Sequence, residues 1–307
     1  MQAILDAFVA NARRENLYIT YAQIRRDGDV AASWQRFTAL SRQESHSASK
    51  GFVAAGVGIA IDDGLLSLHE KIADFFPELT EGLTDPNILD ITIQDLLTMT
   101  TGLAKPMFFR DSEERATVHD WARHFYEQGW FVRPPGHTFL YNNINTYLLG
   151  RAVGIRYGKN LHEYMRQRLF EPLGIGNPDM TICPQGHTIG ANGMAINVDE
   201  MARFGQMVLQ NGEFNGKRIV SARFIKDAVK IHVSTHKHLP VKEEEGTLGY
   251  GYHFWVDPSR NIPFLWGVYG QYCAIVPEKN AVVTVQSLEE NDAAVGRRVW
   301  LDIIDRL

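Results

Sequence analysis

The chain has 307 residues, 45% of them hydrophobic and 22% charged, with a formal net charge of −5. This is ordinary globular composition, long enough for a substantial core in one domain or two interleaved lobes. The acidic balance disfavours nucleic acid and anionic membranes as partners, and no apolar run approaches the roughly 20 residues that a membrane span requires.

At the start, Ile4, Leu5, Phe8, Val9 and Ala12 fall on one helical face. No basic residue opens this segment and Asp6 interrupts it, so it reads as a helix and not as a secretory signal. Residues 17–24 and 30–37 are strand-like and flank Asp27-Gly28, which reads as a hairpin. Residues 52–61 are apolar almost all round, as in a helix buried on every side, with Gly56 and Gly58 allowing close packing and Asp62-Asp63-Gly64 as a stop. Thr92 and Asp95 form a capping box before another helix. Helices are also expected over 113–129, 144–170, 199–209 and 221–230. Residues 232–248 are polar and read as a surface loop. Strands are expected over 250–256, 264–269, 272–276 and 281–287, then a helix over 290–305. No internal repeat and no low-complexity tract is present.

Strands thus come first and last, with helices between them. The expected fold is α/β of the α+β kind: an antiparallel sheet built from both chain ends, flanked by helices, with an inserted all-helical lobe. The chain is read as one unit over 1–307, with a sheet lobe near 1–65 and 190–307 and a helical lobe near 66–189. Cys183 and Cys273 lack metal-type spacing and read as free buried thiols of a reducing compartment, so a cytoplasmic protein is expected. The loosely metal-like spacing of His232, His236 and His238 is better explained by histidines scattered along a polar loop. No metal and no cofactor is expected.

Ser47-Ala48-Ser49-Lys50 precedes the apolar helix. Serine and lysine three residues apart at a helix start face the same side, beside free backbone N–H groups and the positive end of the helix dipole. That arrangement can ionise a hydroxyl, attack a carbonyl and hold the oxyanion. A second copy of the spacing, Ser234 to Lys237, sits in a polar stretch without a helix pattern. Tyr141-Asn142-Asn143 follows Pro134-Pro135-Gly136, and Gly267-Val268-Tyr269-Gly270-Gln271 lies on a late strand pattern. Taken singly, Ser47 reads as a helix cap and Tyr141 as a core tyrosine. The ordered set points elsewhere.

In order and spacing the three motifs resemble the serine β-lactamase and penicillin-binding protein superfamily, in particular its class C-related esterase branch. Further likeness lies in Asp63 to Leu68, Phe76 to Leu79, Ile91 to Leu103, Phe170 to Gly174 and Asp199 to Gly205. The resemblance implies Ser47 as nucleophile, its proton taken by Lys50, lowered by desolvation toward the neutral amine, or by Tyr141, a phenol lowered beside a lysine cation, the two acting as a coupled pair. It implies Asn143 as a group that donates toward the substrate carbonyl or orients Lys50. The oxyanion would lie between the backbone N–H groups of Ser47 and Val268, beside Gly267. Trp266 is either a pocket wall or a core aromatic, and Asn192-Gly193-Met194 is a further candidate wall. The family's third motif begins with lysine or histidine, and here Leu265 takes that place. Leucine cannot hold a substrate carboxylate. The reading is therefore a serine hydrolase of small esters or amides, with a D-amino-acid-type peptidase, a weak β-lactamase or a binding module without turnover as the alternatives. Its partner is a small-molecule substrate, and the sequence leaves the oligomeric state open.

Overall fold

The computed structural model describes residues 1–238 and 247–307. Eight strands, β1 (Ile19–Arg26), β2 (Asp29–Gln35), β3 (Val233–His238), β4 (Thr247–Tyr250), β5 (Trp255–Asp257), β6 (Ile262–Gly267), β7 (Gln271–Val276) and β8 (Ala281–Ser287), form one antiparallel sheet in the order β2-β1-β8-β7-β6-β5-β4-β3. The sheet is open, and the first hairpin joins the last strand through β1 and β8. Asp27 and Gly28, with φ of +54° and +93°, make the tight turn that the Asp-Gly pair announces.

Around the sheet lie α1 (Gln2–Arg14), α2 (Ser49–Asp62), α3 (Ile93–Leu97), α4 (Glu113–Thr117), α5 (Trp121–Gln128), α6 (Ile144–Tyr157), α7 (Leu161–Met165), α8 (Val198–Leu209), α9 (Ala222–Ala228) and α10 (Asp292–Arg298). Strand alternation sorts side chains between two cores. From β7, Tyr272, Ala274 and Val276 join α1 and the C-terminal helix in one core, while Cys273 and Ile275 face α2 and α8 in the other. Both cysteines are free and buried.

Helix α2 is buried from Ser49 through Ala60, as its all-round apolar pattern requires. Phe52 stacks on Phe204 with ring centroids 3.8 Å apart, and a buried phenylalanine of this kind contributes about 1.5–3 kcal/mol. A Cβ on Gly58 would meet the Phe224 ring at 2.4 Å, so the close approach of α9 depends on that glycine. The capping box of Thr92 and Asp95 is formed, and a second one joins Asn197 and Glu200 at α8.

Four expectations need correction. The helix expected over 113–129 is two, α4 and α5, interrupted at residues 118–120. Residues 144–170 are not one helix: Gly158 closes α6 in the left-handed region at φ +78°, and the chain restarts as α7 and a wider turn over Arg166–Phe170. The strand expected over 250–256 is two strands, β4 and β5, with a corner between them. The polar stretch 232–248 is not simply a loop, because β3 pairs with β4 at the sheet edge. Its side chains are polar because an edge strand presents them to water: Ser234 and His236 are exposed and Thr235 is buried. Residues 239–246 of the expected loop lie outside the described residues. His232 is engaged by the Asp227 carbonyl at 2.9 Å, and among the described residues no three His, Cys, Asp or Glu gather as a metal site. No described helix is long and apolar enough to cross a membrane.

Candidate active site

The nucleophile candidate sits on a braced turn. Gln43–Glu44 pairs with Ala195–Ile196, and Ser45 donates to the Met194 carbonyl through both its N–H and its hydroxyl, at 2.8 and 3.0 Å. His46 follows in the left-handed region at φ +48°, an uncommon and strained conformation for a residue with a side chain. His46–Ala48 then form a 3₁₀ turn that runs into α2. The plain reading of Ser47 as a helix cap does not hold, because neither helix start uses a side-chain cap. Asn192-Gly193-Met194, expected as a pocket wall, braces this turn from behind: the Gly193 N–H also donates to Glu44 at 3.0 Å.

One helical turn on, Lys50 is fully buried. Its Nζ lies 3.2 Å from Ser47 Oγ, 2.8 Å from Asn143 Oδ1 and 2.9 Å from the Ala191 carbonyl oxygen. Burial, seconded by the charge of Arg115, holds the Lys50 ammonium well below its usual range and favours the neutral amine. A neutral amine has two hydrogens and one lone pair. The amide oxygen of Asn143 and the Ala191 carbonyl can only accept, so they take the two hydrogens. In that neutral form the lone pair is left for Ser47, whose hydroxyl would donate to it, whereas a charged Nζ donates to Ser47 Oγ. This is the geometry of a base set to remove the serine proton.

Asn143 is fixed from its other end, where Nδ2 donates to the Phe108 carbonyl at 2.9 Å. With Oδ1 on Lys50 and one Nδ2 hydrogen on Phe108, it is placed to orient Lys50 and keeps a second Nδ2 hydrogen. Asn142 caps α6 by accepting the Asn145 N–H at 3.0 Å. Tyr141 precedes them, its ring 4.7 Å from Lys50 Nζ and stacked on Trp255 at 5.5 Å. Here the expectation of a lowered pKa fails. Burial raises the phenol, and the contact with Ser47 opposes that rise only in part. A neutral lysine supplies no cation to bring it down. The two groups therefore differ: burial favours the neutral amine at Lys50 and the neutral phenol at Tyr141.

The third motif comes in on β6. Ala48 N and Ser45 O lie 3.2 and 2.4 Å from where a Cβ on Gly267 would stand, so the strand can pass beside the nucleophile turn only with glycine there. Val268 follows at the surface, 46% exposed. The hairpin after it passes through Tyr269 at φ +63°, whose ring lies 5.1 Å from His46. Leu265 points the other way, onto Gly51 of α2, where a Cβ would clash with it at 2.3 Å. Trp266 alternates to the opposite face, packs on Trp255 and Tyr272, and donates its indole N–H to Asp292 at 2.7 Å. It reaches the Tyr141 ring only through Trp255. The second serine–lysine spacing is on β3 at the sheet edge, where Ser234 and Lys237 are both exposed and no helix carries them.

Several groups were not legible from spacing. The carbonyls of Ala191 and Phe108 act through the backbone, which carries no side-chain signature. His253, at φ +60°, is buried against Thr146 with Nε2 3.0 Å from its hydroxyl, and its Nδ1 has no partner among the described residues. Burial is the main cause that pushes it down to about 3. Segment 107–115 also closes over the site. Phe109 stacks on Tyr141 at 6.3 Å, and Arg110 donates to the Tyr269 hydroxyl at 2.9 Å. A separate surface cavity of about 630 Å³, lined by Gly64, Leu66, His69 and Arg156, opens at the far end of α2, roughly 20 Å of helix from Ser47. It takes no part in this chemistry.

Comparison with known proteins bears on the fold and the family. The profile of the beta-lactamase family matches residues 1–303. A 6-aminohexanoate-dimer hydrolase of Paenarthrobacter ureafaciens is 24% identical over 226 residues, 67% of this chain and 56% of that protein, so the match spans little more than half of the relative's length. Among solved structures, a penicillin-binding protein homologue from Caulobacter crescentus superposes with a TM-score of 0.78 at 15% identity, over 99% of this chain and 97% of that one. A family VIII carboxylesterase does so with a TM-score of 0.74 at 16% identity, over 99% and 96%. At such identities the solved structures establish the fold, and the match of the family profile over almost the whole length establishes more: the chain belongs to the beta-lactamase family.

Proposed function

We propose that the chain is a serine hydrolase of small amides or esters working through an acyl-enzyme on Ser47. The observation that carries this reading is the hydrogen-bond arithmetic at Lys50, which leaves its lone pair for the Ser47 hydroxyl. In the reaction Ser47 Oγ attacks the substrate carbonyl carbon while its proton passes to Lys50 Nζ. The oxyanion is received by the backbone N–H groups of Ser47 and Val268, the second held beside the first by the approach at Gly267. Collapse breaks the bond to the leaving group, which departs with the proton from Lys50, directly or through Tyr141. Water then adds to the acyl-serine by the same route in reverse. The relatives named for amide and ester hydrolysis support this substrate class. A cytoplasmic site belongs to the same reading, supported by the two free, buried thiols.

Intact-protein mass spectrometry after a fluorophosphonate probe tests it, with p-nitrophenyl acetate and butyrate turnover alongside. We expect one adduct and measurable turnover in the wild type, and neither in Ser47→Ala. Full esterase activity in Ser47→Ala would refute the proposal. Labelling without turnover would instead favour a binding module, the reading that Leu265 at the head of the third motif supports.

A further inference from the structure

The two N–H groups proposed to receive the oxyanion belong to different elements. Ser47 lies in the turn before α2, and Val268 lies where β6 gives way to the hairpin before β7. Among the described residues no backbone hydrogen bond joins residues 45–48 to residues 266–270. Gly267 sets how near the two sides can come, since a Cβ there would press on Ser45 O and Ala48 N. A steric limit of that kind does nothing to stop them from moving apart.

The contact that opposes separation is a pair of rings. His46 immediately precedes Ser47, and Tyr269 immediately follows Val268. Their ring centroids lie 5.1 Å apart with the planes tilted by 41°, within the range of attractive ring pairs. Both residues hold the left-handed backbone, His46 at φ +48° and Tyr269 at +63°. Residues with a side chain rarely adopt it, and keep it only where their surroundings over-determine it. Each ring is also held from outside the pair. His46 Nδ1 lies 3.2 Å from Glu44 Oε1, which accepts the Gly193 N–H at 3.0 Å as well. Arg110 reaches over from the helical lobe, donating to the Tyr269 hydroxyl at 2.9 Å with its guanidinium carbon 5.0 Å from the ring centre. Arg110 is 41% exposed, so its hold is the weaker of the two.

We infer that His46 and Tyr269 are positioning residues, their ring contact clamping the Ser47 and Val268 N–H groups at the separation an oxyanion needs. This rests on the reading of Ser47 as nucleophile and of those two N–H groups as its oxyanion donors. The peptide between His46 and Ser47 carries the first N–H, so any shift of His46 re-aims it. The charge that the clamp serves exists only after attack, so its loss lowers kcat and leaves KM nearly unchanged.

Asparagine tolerates the left-handed backbone and removes the ring, which makes His46→Asn and Tyr269→Asn the informative variants. Two readouts are needed: p-nitrophenyl butyrate turnover, and inhibition by 1,1,1-trifluoroheptan-2-one. Ser47 Oγ adds to the carbonyl carbon of that ketone, the carbonyl oxygen becomes an oxyanion, and the serine proton passes to Lys50. Each variant should lower kcat about tenfold or more, shift KM by no more than about twofold, and weaken inhibition by a factor similar to the loss in kcat. The double variant should lose little more than the worse single one, because either change removes the same contact. Tyr269→Phe, which keeps the ring and gives up only the Arg110 bond, should recover most of the loss. Near-normal kcat in either asparagine variant overturns the clamp. So do losses that multiply in the double variant, a fall in kcat with unchanged inhibition by the ketone, or a Tyr269→Phe protein as slow as Tyr269→Asn. Glycine at either position serves the same comparison should an asparagine variant fail to fold. Any of those outcomes in a protein whose wild type takes up fluorophosphonate leaves Ser47 standing as nucleophile. A wild type with neither adduct nor turnover removes both readings.

Discussion

The chemistry at Lys50 depends on a protonation state that burial imposes. The folded chain resists charging this amine, whereas the unfolded chain takes up the proton near pH 10.5. As pH falls from there toward the lowered pKa, the unfolded state binds more protons and the fold loses stability, by up to about 1.4 kcal/mol per pH unit. Below the lowered pKa the loss stops growing. Lys50→Met should therefore flatten the pH dependence of urea unfolding between neutral and alkaline pH while lowering kcat/KM by roughly 10²–10⁴-fold. Parallel stability curves for the two proteins would contradict it. In the wild type, kcat/KM should fall as pH drops through that same lowered pKa. Much at this scale was legible beforehand. Ser47, Lys50, Tyr141 and Asn143 declare themselves by residue type and spacing, and the structure brings all four together. The direction of the Tyr141 shift was not legible, because it depends on whether the neighbouring lysine carries charge, and only the packing decides that.

At the scale of elements, the site is a junction of three supports: the turn before α2, the start of α6 and the end of β6. The last is the most exacting. Gly267→Ala would push its methyl against the Ser45 carbonyl oxygen, so strand or turn must retreat. We expect kcat/KM to fall about 100-fold or more from the displaced oxyanion donor, with a stability cost of about 1–3 kcal/mol. Near-normal turnover by Gly267→Ala would show that Val268 is not that donor. Apolar elements were legible because their periodicity is simple: α2 is apolar all round, and β7 and β8 divide their side chains between two cores. Strand β3 was not, because a polar edge strand carries the composition of a loop.

The molecule as a whole is tied together where His253 sits. Its N–H donates to the Leu97 carbonyl at 3.1 Å and its ring meets Thr146, so the corner between β4 and β5 is locked onto α3 and α6. With its pKa depressed to about 3 against an ordinary 6.5, His253 favours the fold fully above pH 6.5. That contribution drains as pH falls from 6.5 to about 3, at about 1.4 kcal/mol per unit, and is gone below it. His253→Gln should accordingly lose less stability than the wild type between pH 6.5 and 4, as measured by denaturant unfolding. Identical losses would assign the acid sensitivity elsewhere.

The pairing of β1 with β8 has a bearing on how the molecule comes into being. Ser47 and Lys50 are translated early, but β6, which ends at Gly267 just before Val268, emerges only after helices α2 to α9, and β8 later still. At ribosomal elongation rates that interval is on the order of ten seconds or more. For that time the growing polypeptide holds Ser47 and Lys50 with no β6 beside them and no completed sheet around them. On the proposed reading, Ser47 becomes a working nucleophile only once the sheet is complete, and the nascent chain is spared one until then.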